Sequence, residues 1–118
     1  MTILERILTL WRTPSSFEAD PRGYALNQIG HGYVLGALPA FLWGPPAVLP
    51  LVLAYALVVE APQIALWGGS AADAAEDTAH VATVAVAVAW GVWPALAAHA
   101  LFVLSGTLAR FKGASHDH

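Results

Sequence analysis

Apolar residues run along this chain in blocks long enough to cross a bilayer, and polar residues interrupt those blocks at recurring depths. A hydrocarbon core of about 30 Å needs roughly 20 residues of helix. Residues 24–43 supply a first span, closed by Gly44-Pro45-Pro46, because paired prolines cannot continue a helix. Residues 47–67 supply a second. The segment "GGSAADAAED" reads as a polar linker running into a third helix over 72–93, and Trp93-Pro94 breaks the chain before a shorter fourth over 95–111. The alternative is three spans, with residues 80–111 forming one long bent helix.

Ahead of these spans, Ile3, Leu4, Ile7, Leu8 and Trp11 recur at helical spacing, with Glu5, Arg6 and Arg12 off that face. This pattern predicts a short amphipathic helix lying on the membrane surface, or else packed on a partner protein. It does not read as a cleaved signal peptide, because charges interrupt the apolar pattern and no small-residue cleavage site follows. The chain therefore divides into an interfacial segment (1–23), a transmembrane helical domain (24–111) and a polar tail (112–118). The tail's His116 and His118 are weak metal ligands at most, and a solvated terminus is the simpler reading.

Composition fits this pattern. Hydrophobic residues make up 58% of the 118 and charged ones only 11%, against about 25% in an ordinary soluble domain. Mean hydropathy is +0.61. The net charge of −3 says less than its distribution. Arg6, Arg12 and Arg22 precede the first span, Arg110 and Lys112 close the last, and no Lys or Arg lies between. With four spans both basic ends share one side, as the positive-inside rule prefers, and both termini are cytoplasmic. A basic stripe with interleaved aromatics is absent, so nucleic-acid binding has no support. The chain has no cysteine, which removes disulfides, thiolate chemistry and cysteine metal sites.

Polar groups inside the spans carry the candidate chemistry. His31 lies seven residues in from Tyr24, Glu60 seven before Trp67, and His80 seven after Asp73. Each is thus about 10 Å of helix rise from the inner interface. Tyr24, Asn27 and His31 share a helical stripe, as do Glu60, Gln63 and Trp67, and Asp73, Asp77 and His80. Ionisable groups within spans usually face the bundle interior and mark function, and Gly30, Gly32 and Gly36 allow a neighbouring helix to approach His31 closely. His31, Glu60 and Asp77 are the candidate catalytic groups, supported by Asn27, Gln63 and Asp73. An unpaired carboxylate at such a depth costs several kcal/mol or takes up a proton. Asp77 and His80, one turn apart, join His31 and Glu60 as candidate ligands for a divalent transition metal, since two imidazoles and two carboxylates suit Zn, Mn or Fe. Singly, each residue has a plainer reading. His31 and Gln63 serve as interhelical hydrogen-bonding glue, and a network in which Gln63 and Asn27 satisfy the carboxylates needs no metal. Asp73 caps the third helix with Glu76 as its box partner, Glu76 is otherwise solvated, and His99 is structural, near the outer end of the fourth span.

In this order, Asn27-Gln28-Ile29-Gly30-His31, Glu60-Ala61-Pro62-Gln63 and Asp73-Ala74-Ala75-Glu76-Asp77 resemble the motifs of the VanZ-like family of small bacterial membrane proteins. The resemblance covers about half the chain. It departs where Asn27 and Gln28 replace an Asp-Lys pair, where Asp77 stands for a common Asn, and where His80 replaces a small residue. It implies a membrane-embedded helical fold in the bacterial cytoplasmic membrane and a polar site, more than a particular reaction. Two functions follow as expectations. One is an intramembrane site that binds or acts on a lipid-linked or headgroup substrate through His31, Glu60, Asp77 and His80. The other is non-enzymatic: a holin-like pore former of phage origin, an oligomer, or an accessory subunit of a membrane complex.

Overall fold

The computed structural model describes residues 1–14 and 16–116, without the side chains of 114–116. Five helices account for it: α1 (Ile3–Arg12), α2 (21–43), α3 (Pro45–Trp67), α4 (Ala71–Trp90) and α5 (Pro94–His116). No strand occurs among the described residues. Two helices, Pro45–Trp67 and Pro94–Gly113, are long and apolar enough to cross a membrane, and their most apolar windows are only 22% and 17% buried. They are therefore not core helices hidden from solvent, and their apolar surface faces outward.

Local chemistry explains where each helix begins and ends. Thr2 and Glu5 close a capping box on α1. Asp20 caps α2, with Pro21 in the first turn where a missing N–H costs nothing. Ser70 caps α4 by accepting the Asp73 N–H at 3.1 Å, so the expected cap at Asp73 is displaced: Asp73 already lies inside the helix, which begins at Ala71, one residue before the expected start at 72. The three turns between α2, α3, α4 and α5 each place a glycine in the left-handed region, Gly44 (φ 72°), Gly68 (φ 78°) and Gly91 (φ 64°), where a Cβ would be strained. The break at Gly91 divides residues 80–111 between α4 and α5, so they do not form one long bent helix. α5 also runs past the expected end at Phe111, into the segment read as a loose tail, while His118 lies outside the described residues.

Two helices are not uniform. α2 widens into π-helical turns over His31–Ala37, and α3 does so over Ala56–Glu60. Each wide stretch ends two residues before a proline, Pro39 and Pro62. A proline ring clashes with the carbonyl four residues earlier and offers it no hydrogen. Widening the preceding turn relieves that clash, and such bulges recur at functional sites.

α4 is the central element, packed against α2, α3 and α5. Val81, Val84, Ala85 and Ala87 are fully buried on it. α2 meets it through Gly32, Gly36 and Ala40. A Cβ on Gly36 would lie 2.6 Å from the Val81 carbonyl oxygen, and one on Gly32 2.8 Å from Val84 Cγ2. These small residues let the two backbones approach, the usual device of membrane helix pairs. Gly30, expected to help, faces open space instead.

Candidate functional site: a crevice with a polar floor

α1 returns to the bundle through Trp11. Because Pro62 has no N–H for the Val58 carbonyl, that oxygen is left to a side chain, and the Trp11 indole N–H donates to it at 2.9 Å. The Gln63 amide in turn donates to the Trp11 carbonyl at 3.0 Å. The Trp11 and Trp67 rings meet edge to face, centroids 5.1 Å apart. Docked in this way, α1 roofs a crevice of about 770 Å³ between itself, α2 and α3. Ile7, Leu10, Leu26, Val34, Leu35 and Val58 form apolar walls, while Asn27, His31, Gln63 and Asp77 bring polar groups to it.

Each of the three polar stretches thus contributes to one cavity. At His31, Nδ1 lies 2.8 Å from the Asn27 carbonyl. That oxygen can only accept, so Nδ1 carries the hydrogen and Nε2 keeps a lone pair. At Asp77, Oδ1 accepts from Gln28 Nε2 at 2.5 Å, leaving Oδ2 as a second acceptor. Both groups can therefore accept a proton or a hydrogen bond.

Other expectations need correction. Glu60 is buried but does not line the crevice; its carboxylate accepts the Tyr55 hydroxyl, and the Tyr55 ring stands edge-on to His31 at 5.5 Å. His80 is fully buried and turns away from the crevice, toward Tyr24 and His99. His31, Glu60, Asp77 and His80 therefore do not surround one point, and no cluster of three or more His, Asp or Glu able to hold a metal occurs among the described residues. The carboxylates are satisfied by Tyr55, Gln28, Tyr24 and Arg110 rather than by Gln63 and Asn27. Asp73 sits half-buried in the first turn of α4.

The sequence reading missed three features. Gln28, not Asn27, is the buried amide, at 2% exposure. Glu76 is partly exposed but paired: Tyr24 donates to its Oε1, and Arg110 Nη2 lies 3.7 Å from its Oε2. His99 is 2% exposed and joins His80 rather than standing apart. The run of small residues at 32, 36 and 40, extended back by fours to Tyr24 and Gln28, was the available signal for the buried face of α2.

No family model, curated protein or solved structure matches this chain.

Proposed function

We propose that this chain is a four-span protein of the bacterial cytoplasmic membrane whose crevice holds an amphiphile, a lipid or lipid-linked molecule. The VanZ-like motifs and the basic residues at both ends favour this reading, with both termini cytoplasmic. Arg110 reaches back to the Ser16 carbonyl, Nη2 to oxygen 3.1 Å, which ties the two basic ends together.

The crevice carries the proposal. A cavity of about 770 Å³ with largely apolar walls and five polar residues suits a molecule that is apolar along its length and polar at one end. The Asp77 carboxylate and the His31 lone pair call for a donor on the ligand, a hydroxyl or an ammonium. The same two groups are the ones a general-base reaction on that hydroxyl would use.

Native mass spectrometry of protein purified with lipids of one acyl composition and several headgroups tests this. One lipid per chain should be retained, with hydroxyl- or amine-bearing headgroups favoured. Asp77→Leu and His31→Leu should each weaken retention about tenfold or more, the worth of a hydrogen bond to a charged group. Equal retention in all three proteins would overturn the proposal.

A second reading, self-association, has one observation behind it. Six alanines, with Glu60, Ile64 and Thr78, line a groove of about 460 Å³ between α3 and α4, and small residues of this kind let a helix of a second copy approach closely. The same spectra would then show a dimer mass.

A further inference from the structure

Glu76, Tyr24, His80 and His99 form one connected line through the bundle, and none of them lines the crevice. Tyr24 bonds Glu76 Oε1, the Tyr24 hydroxyl lies 3.3 Å from His80 Nε2, and His80 Nδ1 lies 3.0 Å from His99 Nε2. Phe102 stacks on the His80 ring at 4.0 Å, and the Arg110 guanidinium covers the Tyr24 ring at 3.8 Å. Glycines make room for the line. A Cβ on Gly106 would enter the Tyr24 ring, and one on Gly32 would lie 3.1 Å from His99 Cε1.

The direction of every hydrogen follows from one end. Glu76, facing Arg110, acts as an acceptor, so the phenol hydrogen of Tyr24 points to it. The phenol oxygen must then accept from His80 Nε2–H. A neutral imidazole has one N–H, so His80 Nδ1 is a lone pair and His99 Nε2–H donates to it. All three hydrogens point toward Glu76, and His99 Nδ1 is left with a lone pair.

The line covers part of the depth of the bundle, with Glu76 and His80 four residues apart on α4, about 6 Å of rise, and His99 meeting His80 from α5. α4 and α5 are antiparallel, since Glu76 meets Arg110 while His80, later in α4, meets His99, earlier in α5. Glu76 is five residues into α4 and His99 five into α5. Each is thus about 7.5 Å in from its own end at 1.5 Å per residue. Chains of ionisable groups within spans are what proton pathways use.

We propose that these four residues are a proton relay, taking a proton from hydronium at His99 Nδ1 and delivering one to the Glu76 carboxylate. As a proton binds His99 Nδ1, the proton on His99 Nε2 passes to His80 Nδ1. The one on His80 Nε2 passes to the Tyr24 oxygen, and the original phenol proton passes to Glu76 Oε1. Four bonds to hydrogen form and four break, counting that of hydronium. The carboxylate is neutralised and nothing is oxidised or reduced. Glu76, with its side chain 26% exposed, releases the proton to water. Both imidazoles are left in the other tautomer and must revert before the next transfer.

The relay rests on the membrane reading but not on the crevice. Purified protein in vesicles enclosing a pH-sensitive dye, with a potassium diffusion potential set by valinomycin, reads the flux directly. Wild type should acidify or alkalinise the lumen faster than protein-free vesicles, and more slowly in D2O. Tyr24→Phe, which removes one oxygen, and His99→Gln should each lower the flux about 10²-fold, the scale of a lost proton-transfer group. Thr83→Val on α4 should leave it unchanged. Protein that floats with the vesicles yet conducts no faster than empty ones overturns the relay alone. So does a folded Tyr24→Phe with wild-type flux. Failure to float overturns the membrane reading and the relay with it.

Discussion

Asp77 is 5% exposed, and among the described residues the Gln28 amide is the side chain that hydrogen-bonds it. Gln28 has its own liability, since its Oε1 is buried with no hydrogen-bond partner among the described residues, at a cost of about 1–3 kcal/mol. The pair is therefore strained on the amide side and dependent on the carboxylate side. Gln28→Leu alone leaves Asp77 without its donor and should destabilise by about 1.5–3 kcal/mol, whereas adding Asp77→Leu should recover most of that. Unfolding of the four proteins of this cycle in detergent measures the coupling; additive effects would show that the bond contributes nothing. Residue type was legible here, because an amide, an imidazole and a carboxylate stand out against Ala and Val. Which amide faces inward was not. Asn27 and Gln28 differ by about 100° on an ideal helix, and the wide turn at His31–Ala37 keeps a spacing of four on the buried face where three-and-four was expected.

At the level of elements, the prolines have consequences beyond their own helices. Pro62 leaves the Val58 carbonyl to Trp11, and this one bond helps hold α1 over the crevice. Pro62→Ala restores an N–H one turn later, which competes for that carbonyl. The substitution should thus regularise α3 while loosening α1. A spin label at residue 4 should become more mobile in Pro62→Ala, with α3 retained by circular dichroism; unchanged mobility would mean that ring packing between Trp11 and Trp67 holds α1 without the hydrogen bond. Helix ends were largely readable, since Gly-Pro-Pro, Gly-Gly-Ser and Trp-Pro mark turns by chemistry alone. The start of α4 was legible to within a residue, but its cap was misplaced because Asp73 and Ser70 are both good caps, and the first of them in the chain took the role.

Across the whole molecule, counting residues from helix ends gave depth but not direction. Asp77 and His80 are three residues apart, about 60° around a helix that has neighbours on several sides. Asp77 therefore meets α2 at the crevice, while His80 meets Tyr24 and His99. One expected site becomes two polar systems, an open crevice and a closed line, which share α2 and α4. The central claim is that the crevice holds an amphiphile. A lipid with a photoreactive group on its acyl chain, mapped by peptide mass spectrometry after irradiation in vesicles, tests it most directly. Gly30 lines the crevice and a Cβ there meets nothing within 4 Å, so Gly30→Leu fills the space while favouring helix by up to about 1 kcal/mol. The account predicts labelling concentrated on residues 26–35 and 58–59, above that on the exposed leucines Leu101, Leu104 and Leu108 of α5, and its loss in Gly30→Leu. Labelling spread evenly over both surfaces and unchanged by Gly30→Leu would contradict it.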